Sequence, residues 1–289
     1  MLTEAQTMTR DSVRLFARER LAPGAAARDR TAEPPLALLR EMGALGLMGM
    51  CVPEEWGGAG ADFVSYVLAI EEVAAADGAI STIMSVNNSP VCAALQRYGT
   101  AAQKERFLRP LARGEQIGAF ALTEPQAGSD ASAIETRAVR DGDVYRLDGT
   151  KQFITSGSIA SVALVFAVTD SAKGKRGITC FIAPTDRPGW NVVRVEKKLG
   201  QRCSDTCQVA LDGLELAPDL VLGEPGQGYG IALANLESGR IGIGSAGDGD
   251  GPCRPGGSCR LRAAARDLRH ADHQSPGNRL PPGRYGHGC

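Results

Sequence analysis

Residues 120–130 read Phe120-Ala121-Leu122-Thr123-Glu124-Pro125-Gln126-Ala127-Gly128-Ser129-Asp130. An apolar lead-in meets Thr-Glu-Pro, where Pro125 fixes φ, and Gly128 then restores freedom, so a strand runs into a shaped loop. Such a loop turns backbone N–H groups and hydroxyls outward, toward a ligand. A second run with glycine at both ends follows it, Gly149-Thr150-Lys151-Gln152-Phe153-Ile154-Thr155-Ser156-Gly157.

Around these two segments the pattern is that of strands. Val144–Leu147, Ser161–Thr169, Gly177–Ala183 and Gln208–Leu211 are short apolar runs divided by Asp-Gly and Pro turns, which predicts a β domain over 116–222. On its N-terminal side the period changes. Phe63, Val67, Ile70 and Ala74 recur at the spacing of one helix face, and Ala-rich stretches favour helix, so residues 1–115 read as a helical domain of four or five helices. Pro34-Pro35 suits a helix start, the Gly-rich run Pro53–Gly60 breaks one, and Ile80–Leu95 reads as a single buried helix.

Beyond the β domain, Ile231, Leu233 and Leu236 restore a helical period, and residues 223–243 read as the start of a C-terminal helical bundle. The pattern then stops. From Gly244 to Cys289 there is no Val, Ile, Phe or Met, and Gly, Pro and Arg abound. Too little apolar surface remains to offset the entropy of ordering, so 244–289 is expected to be a disordered tail. The fold class expected is α+β: N-terminal helices, a middle β-barrel or sandwich, and the first part of a C-terminal bundle cut short by that tail.

The 289 residues are 43% hydrophobic with a formal net charge of −1, enough for real cores and without a basic face for a phosphate backbone, which argues against nucleic acid. No run of about 18 apolar residues offers a membrane span. Met1–Arg20 is mixed and charged, unlike the apolar core of a signal peptide, so a cytoplasmic location is expected. Of eight cysteines, Cys51, Cys92, Cys180, Cys203 and Cys207 sit in ordinary segments and read as reduced structural thiols. Cys253, Cys259, His270 and His273 approximate a Cys2His2 zinc pattern, but their spacing is wrong for a finger and no apolar residues are there to build one, so no metal is expected.

Taken singly, Gly128-Ser129-Asp130 is a plain turn, Phe153 a core aromatic, and Glu237 with Arg240 a solvated helix pair. Their joint order separates them from that reading. With Glu54-Glu55-Trp56-Gly57-Gly58, Gln103–Arg106, Gly114-Glu115 and Leu236-Glu237-Ser238-Gly239-Arg240, the two loop segments make a series that resembles the acyl-CoA dehydrogenase family from about Leu15 to Ile243. The resemblance implies an FAD enzyme that desaturates the α,β bond of an acyl-CoA thioester. A Glu base takes the α proton, the β hydride goes to the flavin, and electrons pass to an electron-transfer flavoprotein.

It also implies residue roles. Leu122 and Thr123 would meet the pyrimidine edge of FAD, where negative charge develops on reduction. Phe153, where this family often has Trp, would stack on the isoalloxazine and Thr155 would hydrogen-bond it, with Phe120, Gly128 and Ile154 in the same cofactor-binding segments. Ser129 would contact the phosphate region of flavin or acyl-CoA, and Glu237 and Arg240 would border the CoA pocket. Ser204-Asp205-Thr206 resembles the family's Gly-x-x-x-Ser-x-Thr loop beginning at Gly200. The intact family forms homotetramers. Two other readings share the fold or part of it: an acyl-CoA oxidase or flavin monooxygenase, and a non-catalytic fragment.

In the family a long helix, Arg-x-Thr-Phe-Gly, His-Gln-Ala and the catalytic Glu would follow Ile243, and none is present in this frame. The expectation is a truncation or frameshift after about residue 243, an unassigned catalytic base and an inactive chain. Arg266–Leu280 admits codons that, one base along, read ETFGTPITSHQAIA, which contains both Thr-Phe-Gly and His-Gln-Ala. Sequencing the coding DNA is expected to show a family-like open frame across this join; stop codons throughout the other frames would refute it.

Overall fold

The computed structural model of the chain describes residues 2–248. The disordered-tail reading, as far as it concerns 249–289 and with it Cys253, Cys259, His270 and His273, lies outside the described residues.

Helix α1 (Glu4–Phe16) opens on a capping box: Thr3 Oγ1 accepts from Gln6 N at 3.2 Å and Gln6 Oε1 from Thr3 N at 3.0 Å, so two otherwise orphaned amides are satisfied. Then come α2 (Ala25–Thr31) and α3 (Leu36–Ala44), the latter capped at Pro35 as the double proline predicts. The Gly-rich run leaves the helix after a single 3-10 turn, Glu54–Trp56, and Gly57 takes φ 83°, which suits a residue without Cβ. Asp62 caps α4 (Phe63–Ala76), its carboxylate accepting from Ser65 N at 2.8 Å.

Two expectations for the helical region are corrected. The buried face of α4 is Tyr66, Ala69, Ile70 and Val73, with Phe63 exposed and Val67 and Ala74 half-buried. Helix α4 is apolar nearly all round, so the period alone does not locate its inner face. Nor is Ile80–Leu95 one helix. Helix α5 (Gly78–Val86) passes into a π-type turn, Asn87–Cys92, where Ser89 leaves helical geometry (φ −142°, ψ 110°), and α6 (Ala93–Tyr98) resumes. Pro90 supplies no N–H and disfavours a helical residue before it, so the break falls at Ser89. The region closes with α7 (Ala101–Gln103), a π-type turn (Lys104–Leu108) and α8 (Arg109–Ala112). Such breaks divide the expected four or five helices into more pieces.

The break is itself a junction. Asn87 Nδ2 donates to Met48 O (2.8 Å) and Leu111 O (3.1 Å), and its Oδ1 accepts from Gly118 N (2.9 Å). Asn88 Nδ2 donates to Leu47 O (2.8 Å) and Met84 O (3.0 Å), and its Oδ1 accepts from Met50 N (2.7 Å). Two buried amide side chains thus tie the loop 47–50, α8 and the first strand to one point.

The sheet contains β1 (Gly118–Ala121), β2 (Arg137–Asp141), β3 (Val144–Thr155), β4 (Val162–Val168), β5 (Ile178–Pro184), β6 (Trp190–Val195), β7 (Thr206–Leu216) and β8 (Val221–Leu222), in the order β6-β7-β3-β2-β4-β5-β8. Strand β1 lies parallel to β4, Gly118 opposite Val162. The β2–β3 hairpin turns on Gly142-Asp143, with Gly142 at φ 60°. Strands β4 and β5 are buried on both faces and centre the larger core. Helix α9 runs Gly228–Asp248, five residues into the segment read as tail, and packs on α4 and α5. A Cβ at Gly242 would lie 3.0 Å from Tyr66 Oη and 3.1 Å from Ser85 Oγ, so glycine lets the helices cross here without those side chains giving way. No helix of the described residues is long and apolar enough to cross a membrane.

The junction carries a stability prediction. Asn87→Ala strips hydrogen bonds from two buried carbonyls and one amide, with an expected loss of about 2–4 kcal/mol by urea denaturation; a loss below about 0.5 kcal/mol would contradict this role.

Candidate functional site

The loop after β1 and the far half of β3 lie side by side. Gln152 N donates to Thr123 O at 2.8 Å across the two segments. Beneath them Lys151, wholly buried in a strand, extends its ammonium to Glu124 Oε1 (2.7 Å), Phe166 O (2.7 Å) and Leu122 O (3.2 Å). The same carboxylate accepts from Glu135 N (2.6 Å), Thr136 N (3.0 Å) and Gln126 Nε2 (2.8 Å). Lys151 has three acceptors for three protons, and Glu124 four donors for its two oxygens. A buried pair this fully bonded avoids the cost that makes unpartnered interior charges rare.

Burial lowers the Lys151 pKa to about 8, against the opposing attraction of Glu124. Burial acts on Glu124 in the other direction, but the Lys151 charge and the amides of Glu135 and Thr136 outweigh it, and the carboxyl stays below its ordinary value.

Above the pair the loop is pinched shut by Glu124 and Ala127, which exchange backbone hydrogen bonds of 3.0 and 3.1 Å. Gly128, Ser129 and Asp130 then stand exposed, and a Cβ at Gly128 would meet nothing within 4 Å. In β3 the register against β7 shifts between Lys151 and Ile154, and this bulge throws Phe153 outward at φ 59°, 60% exposed. A bulky residue at positive φ is a genuine outlier costing on the order of 1–3 kcal/mol, a strain that clusters at binding sites. The next turn holds it: Ser156, also left-handed at φ 61°, donates its N–H to Asp205 O (3.2 Å), and Ser158 N donates to Asp205 Oδ2 (2.8 Å). Cys207 Sγ donates to the same oxygen at 3.0 Å, and burial with Asp205 pushes that thiol up to about 12. Cys203 and Cys207 are both buried free thiols.

The residues singled out from sequence divide into two places. Leu122, Thr123, Phe153, Ile154 and Thr155 are joined through the Gln152–Thr123 bond and the Lys151 clamp, with Gly128 and Ser129 at the loop tip. The hydroxyls of Thr123 and Thr155, both half-buried, have no hydrogen-bond partner among the described residues. Phe120 turns toward the core, its ring 4.9 Å from Phe166, and Ile154 is buried, so it can present only backbone outward. Glu237 and Arg240 stand exposed on α9, and among the described residues no hydrogen bond or ion pair links them to the loop segments. Sequence reading passed over Lys151, Glu124, Gln152 and Asp205. Opposite charges inside the two quoted motifs were the available signal for the first pair.

The arrangement is an open face: an exposed aromatic ring, a backbone edge and two unpartnered hydroxyls suited to a flat heteroaromatic with polar edges. A cleft of about 710 Å³ between Arg40, Gly57 and Arg113, and an apolar groove of about 560 Å³ along α1, involve neither loop segment. Four carboxylates near the segments accept hydrogen bonds: Glu124 as above, Glu196 from Gln152 and Arg194, Asp205 from Ser158 through Oδ2 while its buried Oδ1 has no partner, and Asp130 from Ser132.

Known proteins resemble this chain over most of its length. Residues 3–115 match the acyl-CoA dehydrogenase N-terminal domain and residues 119–214 the acyl-CoA dehydrogenase middle domain. An acyl-CoA dehydrogenase of Bacillus subtilis is 43% identical over 242 residues, which are 84% of this chain and 64% of that protein, so the chain spans less than two thirds of that relative. The butyryl-CoA dehydrogenase structure from Megasphaera elsdenii superposes with a TM-score of 0.84 at 35% identity, covering 98% of this chain and 72% of that one. A glutaryl-CoA dehydrogenase from Mycobacterium smegmatis, in complex with FADH2, gives 0.80 at 37% identity, covering 86% and 62%.

Removing one partner of the buried pair leaves the other charge stranded, and Lys151→Met is expected to cost about 3–5 kcal/mol of unfolding free energy. The acid limb follows from Glu124. Its pKa is lower folded than unfolded, so its contribution is complete above the unfolded value of about 4.3 and is lost as pH falls through the folded value. Glu124→Gln should flatten the acid side of a melting-temperature profile relative to the wild type; parallel profiles would contradict the assignment.

Proposed function

The chain belongs to the acyl-CoA dehydrogenase family, and on that premise we propose that its open face is the flavin-contacting wall of an FAD-dependent acyl-CoA dehydrogenase. When bound, FAD supplies the acceptor for the electron pair leaving the acyl chain. The observation that carries the reading is Phe153 held exposed at φ 59° beside the unpartnered hydroxyls of Thr123 and Thr155. Phe153 stacks on the isoalloxazine and Thr155 hydrogen-bonds it. Leu122 and Thr123 present N–H and hydroxyl donors to its pyrimidine edge, where charge accumulates, and preorganised donors there stabilise it without reorganisation. Ser129 takes the phosphate region, and Glu237 and Arg240 border the CoA moiety.

The substrate is an acyl-CoA thioester, short or branched, in keeping with the butyryl-CoA dehydrogenase similarity. Electrons pass to an electron-transfer flavoprotein, and the intact protein is a homotetramer. Among the described residues Glu124, Glu196, Asp205 and Asp130 each accept a hydrogen bond beside the two segments and none is assigned as the base; on this reading the polypeptide binds flavin weakly without turning over.

Titrating the purified chain with FAD, followed by flavin fluorescence, and then adding butyryl-CoA anaerobically tests this. Uptake of flavin with no bleaching of its visible band is expected, and Thr123→Val with Thr155→Val should weaken uptake roughly tenfold, as for loss of one or two hydrogen bonds. Bleaching at the rate of an intact dehydrogenase would overturn the inactivity, and absence of flavin uptake would overturn the site.

A further inference from the structure

Lys151 touches the candidate flavin edge through a peptide group. Its ammonium lies 3.2 Å from Leu122 O, and that carbonyl belongs to the same planar, resonant unit as the Thr123 N–H. A cationic donor on the oxygen draws electron density through the unit and strengthens the N–H as a donor, the usual cooperativity of linked hydrogen bonds in a low-dielectric interior. The Thr123 N–H donates to no acceptor among the described residues. The two charges of the pair are not equivalent toward it. Glu124 spreads its charge over four donors from Gln126, Glu135, Thr136 and Lys151, whereas the ammonium bears directly on the Leu122–Thr123 peptide. Fold stability alone does not account for the pair, because well-packed apolar residues of the same volume often serve as well or better.

We propose that Lys151 and Glu124 are an electrostatic positioning pair for the flavin, in which Lys151 polarises and aims the Leu122–Thr123 peptide so that its N–H stabilises negative charge on the ligand's pyrimidine edge. This rests on the flavin reading above and adds to it a pair that sets how readily the bound flavin is reduced. Neither side chain need touch the ligand. Lys151 acts through a carbonyl, and Glu124 tempers it.

The test is the midpoint potential of FAD bound to the whole chain, compared for the wild type, Lys151→Met, Glu124→Gln and the double variant, with ligand-free melting temperatures as the stability control. Lys151→Met leaves an uncompensated carboxylate and should lower the potential, by about tenfold in the reduced-to-oxidised ratio or about 30 mV for a two-electron couple. Glu124→Gln leaves an uncompensated ammonium and should raise it, and the double variant should fall between. A pair that only holds the sheet together would shift both single variants the same way, or neither, while still lowering melting temperature, and that result overturns the inference. If Lys151→Met does not fold, Glu124→Gln decides alone: an upward shift supports the pair, and no shift or a downward one overturns it. Should the wild type take up no FAD, the flavin reading fails and this inference with it; wild-type uptake with equal potentials in every variant defeats the inference alone.

Discussion

A lysine with no exposed surface is the constraint around which this molecule is organised. Lys151 projects from β3 into a space where only fully satisfied charge is tolerable, and its three partners come from two places: Leu122 and Glu124 on the loop after β1, and Phe166 on β4. Glu124 in turn fixes the approach to β2 through the amides of Glu135 and Thr136. One ion pair thereby sets the spacing of four chain segments and the height at which the 122–130 loop stands above the sheet. Two of the non-glycine residues at positive φ, Phe153 and Ser156, follow Lys151 within a few residues, between the clamp on one side and Asp205 on the other.

The helical half is joined to this sheet by a different device with the same logic. Just ahead of the break at Ser89 the carboxamides of Asn87 and Asn88 lie in the interior, where they satisfy carbonyls and amides of the 47–50 loop, α8 and Gly118. Because Gly118 begins β1, and β1 delivers the loop that carries Thr123, the helix break and the ion pair bear on one strand from its two ends. Helix α9 then returns to α4 and α5 through the crossing at Gly242, which brings Glu237 and Arg240 out onto an exposed face.

Much of this was legible in the residues. Short apolar runs and Asp-Gly turns marked the strands, the Pro and Gly of 120–130 marked a loop whose tip is exposed, and the order of separate motifs pointed to the family that the comparisons show. What escaped the sequence has physical causes. Strand pattern alone gives no reason to bury the ammonium of Lys151 until Glu124 is known to be waiting there. A continuous apolar run such as Ile80–Leu95 advertises burial, and a single Pro within it leaves open whether the helix kinks or parts. The inner face of α4 was misplaced because that helix is apolar on most sides. Phe153 read as an aromatic plate, yet its exposure depends on a bulge that only the pairing with β7 creates. Helix α9 outlasts its apolar pattern by five residues, and its close approach at Gly242 uses the small residues that made the sequence look like the edge of a tail.

The central claim is that the Lys151–Glu124 clamp makes two distant segments into a single flavin-binding edge. It is tested most directly by a crystal structure of the chain grown with FAD. The account predicts the isoalloxazine stacked on Phe153, its pyrimidine edge within hydrogen-bonding distance of the Leu122 and Thr123 amides and the Thr123 hydroxyl, with the clamp beneath unchanged. Flavin bound elsewhere on the molecule, or at this face with Lys151 swung away from Leu122 and Glu124, would contradict it.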